Sequence, residues 1–352
     1  MSAVYKRILI ISGLFSAFCL PPLAPNATAQ IPVSNRAESA LLKHGIEQYQ
    51  QGHYTLASES ITEFLNQHVQ PTESRNNKTL ALSVQQAKYI LALSNLKGRN
   101  QNAEAEITTY INETVNPVYR QRAAFALAQY YFQNNNLPAA IANYEIAGID
   151  NLSNSEIADA KFELAYSYFN ERRFDKAKPL FQVIKELPDN KYYLPGNYYY
   201  GLLAYSDKNY DQALTSFERV HNQEEYKDIV PYYEAEINYF KGDYDKVLQI
   251  SNRYLRKKDK LFYDKEMQLL TGQTYFEQKK FKEALPYFEY YYDNSDKIRK
   301  EELYELAYTY YKLEKWPQAI ETFQPLSNAQ DSLGQTSMYL LGDCYLKTGD
   351  KK

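Results

Sequence analysis

Cysteine is almost missing from this 352-residue chain, which holds only Cys19 and Cys344. Cys19 lies in the N-terminal segment expected to be removed, and one remaining thiol cannot make an internal disulfide, so stability has to come from packing. Histidine is nearly as scarce. None of His44, His53, His68 and His221 makes the i, i+4 pairing with a glutamate that a helical zinc site uses. Glycine and proline total 26 residues, too few for a low-complexity chain. There is no P-loop, no G-x-S-x-G and no Gly-rich turn after a strand, so no enzymatic chemistry and no cofactor is expected. Neither charge sign is in large excess, with 40 Lys and Arg against 43 Asp and Glu. That balance argues against nucleic acid, which needs a basic face.

Long apolar runs are also absent, with one exception at the start. Lys6 and Arg7 precede the apolar stretch Ile8–Leu20, and Ala27-Thr28-Ala29 follows in the small-x-small pattern read by signal peptidase. The run is too short to span a membrane. Residues 1–29 are therefore expected to be a cleaved signal peptide, leaving a mature chain of residues 30–352 with no transmembrane segment and a net charge of −5. Cys19 raises lipidation as an alternative, but Phe18 stands where a lipobox carries Gly or Ala. The expected localisation is the periplasm or the periplasmic face of the outer membrane.

What the chain has in abundance is tyrosine, 36 copies. A phenol ring fills a core groove while its hydroxyl stays wet, which suits a thin fold with much of its core near a surface. One position, most often aromatic, recurs along the chain. Tyr54, Asn100, Leu137, Phe174, Tyr210, Tyr244, Phe281 and Trp316 form a series spaced 46, 37, 37, 36, 34, 37 and 35 residues apart. Three residues after each come Ala57, Ala103, Ala140, Ala177, Ala213, Val247, Ala284 and Ala319. The gap of 46 implies an insertion around residues 70–77.

Each copy reads as two helices. Phe162, Ala165, Tyr168 and Phe169 follow helical spacing, as do Ala177, Phe181 and Ile184, with Asn170–Arg173 as a polar break between them. Asp175, Asp211 and Asp245 sit where the second helix should be capped, and Pro138 and Pro317 take the early position where a missing N–H costs little. Ala165 and Ala177 then mark where two antiparallel helices approach closely, and a lone pair cannot cover the aromatic rings around them. Copies must stack. Glu224-Glu225 and Glu301-Glu302 read as helix starts. Arg253, Arg256, Lys257, Lys258 and Lys260 read as a basic helix end.

These residues carry a resemblance to the tetratricopeptide repeat (TPR) family, seen in Leu341-Gly342-Asp343-Cys344-Tyr345, Gly242-Asp243-Tyr244 and Asn209-Tyr210-Asp211-Gln212-Ala213. The early tryptophan of that pattern is absent, and Val247 replaces one alanine. The resemblance implies an all-α TPR helix-turn-helix solenoid, a right-handed superhelix of about eight full repeats plus one terminal helix over Ser337–Thr348. The chain is expected to be the front of a longer repeat protein, since Gly349-Asp350 should open another turn. It looks like the exported TPR proteins of Gram-negative envelopes.

By that family's geometry, places five, nine and twelve of each first helix face the concave side. Here the row holds Phe125, Phe132, Phe162, Tyr166, Phe169, Tyr198, Tyr205, Tyr232, Tyr239, Phe276, Tyr304, Tyr308 and Tyr311. Tyr166 and Tyr308 fall on the most variable place and are expected to project into the groove, where aromatic rings suit a peptide anchor. The implied function is a non-enzymatic scaffold or adaptor in the cell envelope, with a protein or peptide partner and an open oligomeric state. The alternatives are a carbohydrate-binding component of a glycan-uptake system, or the interaction arm of an enzyme whose catalytic domain lies beyond residue 352.

Overall fold

The computed structural model describes residues 40–68, 78–150, 152–256, 262–328 and 330–349. The expected signal peptide at 1–29, the expected insertion at 70–77, and Lys257, Lys258 and Lys260 of the basic run lie outside the described residues. Among the described residues every regular element is an α-helix. The chain divides into two compact units, 1–203 and 204–352, with the boundary inside one helix.

The first unit holds α1 (Ala40–Gln50), α2 (Tyr54–His68), α3 (Lys78–Lys97), α4 (Ala103–Glu113), α5 (Pro117–Gln133), α6 (Leu137–Ala147), α7 (Asn154–Asn170), α8 (Phe174–Ile184) and most of α9 (Tyr193–Ser206). The second holds the end of α9, then α10 (Tyr210–Glu218), α11 (Val230–Phe240), α12 (Tyr244–Leu255), α13 (Asp264–Glu277) and α14 (Phe281–Asn294). After these come α15 (Lys300–Lys312), α16 (Trp316–Phe323) and α17 (Ser332–Thr348). Odd-numbered helices open a repeat and even-numbered ones close it. Among the described residues eight helix pairs and one further helix result, as the repeat count predicts.

One backbone device makes every turn inside a pair. Gly52, Arg99, Asn135, Arg172, Lys208, Gly242, Lys279 and Glu314 all have φ between 54° and 81°. Each donates its N–H to the carbonyl three residues back, and the next N–H reaches five residues back. Arg172 bonds to Phe169 at 3.1 Å and Arg173 to Tyr168 at 2.8 Å; Lys279 bonds to Phe276 at 2.8 Å and Lys280 to Tyr275 at 2.9 Å. This is the Schellman closure, which satisfies carbonyls that a helix end leaves without partners. Glycine supplies the left-handed residue at only two of these eight turns. The other six accept a cost of roughly 1–2 kcal/mol each, the usual penalty for an L-residue there.

Counting back seven residues from each left-handed position gives Gly45, Ala92, Ala128, Ala165, Gly201, Ala235, Gly272 and Ala307. The first helix of every pair therefore carries a small residue at one fixed place. Its purpose is visible at the glycines. A methyl group built on Gly45 would lie 2.6 Å from Cδ1 of Ile61, and one on Gly272 would lie 2.9 Å from Cδ1 of Phe288. Ile61 and Phe288 each stand four residues after the alanine of the second helix, so the small residue receives that bulky side chain. Ala177, Phe181 and Ile184 are fully buried on α8, and Ala319 and Phe323 on α16. Each buried Phe of this kind contributes about 1.5–3 kcal/mol.

Four sequence expectations need correction. Asp175, Asp211 and Asp245 are not caps; they lie in the first turn, one residue inside helices that begin at Phe174, Tyr210 and Tyr244. There they favour the positive end of the helix dipole, while Asp243 is the side chain that caps α12, accepting from Lys246 N–H at 3.2 Å. Asn100 does not begin a helix. The second repeat's turn runs on through Asn102, also left-handed at φ 69°, and α4 starts at Ala103. Ala103 thereby stands four residues after its left-handed Arg99, where the other repeats have five. Glu224-Glu225 lie in the connection 219–229 rather than at a helix start, because α11 begins at Val230; Glu301-Glu302 do open α15. Finally, α17 starts at Ser332, where Asp331 accepts from Gly334 N–H at 2.9 Å, ahead of the expected Ser337.

Candidate protein-binding surface

The candidate row divides sharply by burial. In the first unit Phe125, Phe132, Phe162, Tyr166, Phe169 and Tyr198 are all buried. Phe162 stacks on Tyr192 with ring centroids 4.0 Å apart and planes 8° from parallel. Tyr166 was expected to project outward, but only 3% of it is exposed. Its ring stands edge-on to Phe132 at 5.7 Å and to Tyr199 at 5.5 Å, so rings from α5, α7 and α9 close over one another. Such edge-to-face pairs add about 0.5–1.5 kcal/mol beyond area burial. Tyr166 is core.

In the second unit Tyr205 and Tyr232 are likewise buried, Tyr232 stacking on Tyr263 at 4.5 Å. Five members of the row remain half-buried: Tyr239, Phe276, Tyr304, Tyr308 and Tyr311. Four of them form a continuous strip. Phe276 meets Tyr308 edge-on at 5.8 Å, Tyr308 stacks on Tyr304 at 5.9 Å and on Tyr311 at 6.0 Å, and Tyr311 meets Trp316 at 5.6 Å. The Lys312 ammonium lies 5.1 Å from the centre of the Tyr308 ring, a cation–π contact.

Polar side chains tie the opening helices of successive repeats together beside this strip. The Tyr205 hydroxyl donates to Glu236 at 2.6 Å, Gln273 donates to Glu305 at 2.9 Å, and the Tyr311 hydroxyl donates to Asp343 at 2.8 Å. The Asp343 bond and partial burial push the Tyr311 hydroxyl up to about 12. Burial pushes the Glu305 carboxyl up to about 7, although the Gln273 bond pulls the other way. Burial, with Glu277 and Glu305 close by, also raises the Tyr239 hydroxyl. The sequence reading missed this ladder. Its acceptors Glu236 and Asp343 share one register position with Tyr166 and Tyr308, six residues before the left-handed residue, so the repeat spacing contained the signal.

A second polar arrangement also escaped the sequence. Glu163 on α7 is buried, accepts from the Tyr144 hydroxyl and takes a further bond from Tyr192 at 3.1 Å. It ties α6 and α7 to the connection that precedes α9. Among the described residues there is no cluster of three or more His, Cys, Asp or Glu side chains able to hold a metal ion, and no helix is long and apolar enough to cross a membrane.

Residues 125–191 and 304–352 match the tetratricopeptide repeat family. The two matched segments are tetratricopeptide repeats. The eight Schellman turns and small-residue positions put the remaining helix pairs in the same register as those segments. No curated protein matches the sequence. Among solved structures, the apo form of RapI is 15% identical, with 89% of this chain and 99% of that one covered at a TM-score of 0.46. A tetratricopeptide repeat protein from Parabacteroides merdae is 14% identical, with 76% and 97% covered at 0.37. Yeast Tom70 is 16% identical, with 99% and 72% covered at 0.40.

Proposed function

We propose that this TPR chain is a non-enzymatic interaction scaffold of the bacterial cell envelope, and that a protein partner's segment docks along the strip Phe276, Tyr304, Tyr308 and Tyr311. The observation that carries this is the difference in burial within one row. Elsewhere the rings at these places are buried, Tyr239 excepted, whereas here four neighbouring rings stay half-open. Packing among themselves and against Trp316 holds them in place, so a partner gains aromatic area with little ordering cost. Export rests on the basic and apolar pattern of residues 6–29 and supports a mature N-terminus at Gln30.

Capture from envelope extracts tests both parts, with the mature chain compared against Tyr308→Ala/Tyr311→Ala. Truncating aromatic anchors commonly costs 2 kcal/mol or more, about thirtyfold in affinity. The partner enriched by the wild type should therefore be lost from the variant while helix content is retained. Equal capture by both proteins would move the interface off this strip. Exposed rings also suit sugar stacking. Binding of a cell-wall hexasaccharide that depends on the same two tyrosines would favour the carbohydrate reading instead. N-terminal sequencing that found Met1, or lipid on Cys19, would overturn the export pathway.

A further inference from the structure

A separate pocket of about 350 Å³ lies within the second unit, away from the aromatic strip, between α10 and α12 with α11 as its floor. Its origin is local. Helix α10 stops at Glu218 while its counterpart α12 runs on to Leu255, and the connection 219–229 detours before α11 begins. A volume of this size is within the range that small ligands occupy.

Apart from His221 and from Lys227, which pairs with Glu224 at 2.5 Å, the charged groups of the lining stand on two sides. On the α10 and α11 side stand Glu218 and Glu234, and on α12 stand Lys246 and Arg253, two helical turns apart. Glu234 is buried at the floor, where His221 Nδ1 donates to its Oε1 at 2.9 Å. Burial raises the Glu234 carboxyl above the usual carboxylate range, with His221 and, more weakly, Lys246 opposing the effect and Glu218 adding to it. Among the described residues Lys246 and Arg253 make no ion pair, which leaves both able to meet an anion. Leu214, Pro231, Ile250 and the Tyr254 ring supply apolar wall between the two charged sides.

We propose that this pocket binds a small zwitterion with a branched apolar side chain, a free amino acid or a dipeptide. Its ammonium sits between Glu218 and Glu234, its carboxylate reaches Lys246 and Arg253, and its side chain lies on Leu214 and Ile250. A simple anion would meet the two glutamates, and a simple cation would meet Lys246 and Arg253. Only a ligand bearing both charges satisfies both walls.

Isothermal titration of the mature chain with leucine and with leucyl-leucine tests this, using leucinamide and 4-methylpentanoate as probes that each lack one charge. At least one zwitterion should saturate the protein, and each single-charge probe should bind at least about tenfold more weakly. Tighter binding of leucyl-leucine would assign the dipeptide, and tighter binding of leucine the amino acid. Glu234→Gln keeps an acceptor for His221 but removes the charge, and should weaken the zwitterion at least about tenfold. Arg253→Gln, at an exposed rim position, should do the same without touching the floor, and it decides the matter if Glu234→Gln fails to fold. No saturation by either zwitterion up to about 10 mM, equal affinity for a single-charge probe, or unchanged binding by folded Arg253→Gln would overturn the proposal.

Discussion

Gly272 and Gly342 occupy the same place in the repeat, seven residues before the left-handed residues Lys279 and Gly349, yet a methyl group should have opposite effects at the two. At Gly272 the new Cβ would lie 2.9 and 3.0 Å from Cδ1 and Cε1 of Phe288 and 3.2 Å from Cβ of Tyr287. Carbon atoms prefer roughly 3.5–4.0 Å, so α13 and α14 must separate by several tenths of an ångström. Phe288 is fully buried against its neighbours and has no free direction to take. Overpacking of this kind costs about 1–3 kcal/mol. Alanine also improves helix propensity by about 0.8–1.0 kcal/mol over glycine. The net expectation for Gly272→Ala is destabilisation by about 0–2 kcal/mol. At Gly342, in α17, a Cβ meets nothing within 4 Å. There only the propensity gain remains, so Gly342→Ala should stabilise by about 1 kcal/mol. In units of this size 1 kcal/mol moves the melting midpoint by about 2–4 °C. Scanning calorimetry of the two single variants should therefore show midpoints displaced in opposite directions. Adding Phe288→Leu to Gly272→Ala should cost less than the sum of the two separate changes, since the smaller side chain relieves the clash. Midpoints that shift in the same direction, or strictly additive costs, would refute the assignment of this position as the receiving site for Phe288.

Two further outcomes follow from other parts of the chain. Tyr166→Ala should lower stability by about 3–5 kcal/mol, as removal of a buried aromatic does, and guanidinium unfolding would detect it; a surface-like loss under about 0.5 kcal/mol would return Tyr166 to the groove. The carboxyl of Glu163, pushed up to about 7 by burial, binds its proton more tightly folded than unfolded. Its stabilising contribution is therefore complete below the unfolded value near 4.5 and is lost as pH rises through about 7. Glu163→Gln should flatten the pH dependence of stability over that interval and gain most, relative to wild type, above pH 7. Parallel pH profiles for both proteins would show that Glu163 does not titrate there.

The aromatic row shows how far the sequence could be read. Spacing alone located Tyr166 and Tyr308 at equivalent places, and that equivalence holds in the structure. Their surroundings differ: Phe132 and Tyr199 close over Tyr166, whereas Tyr308 has Phe276, Tyr304 and Lys312 around it and stays half-open. A single repeat cannot encode that difference, because burial at this position depends on the side chains of the repeats before and after it. The polar ladder of Glu236, Glu305 and Asp343 was legible only in the shared register of Glu236 and Asp343; its pairings were not, since each partner lies about thirty residues away.

By itself the sequence determined the helix pairs, their number, and the small residues that let paired helices approach, because these follow from a period repeated often enough to stand above chance. Only the tertiary structure decided the turns and the surface. Arg172, Lys208, Lys279 and Glu314 have no intrinsic preference for left-handed backbone. They adopt it because two packed helices leave one path for the chain between them, and which rings and charges remain open depends on how neighbouring repeats close over one another.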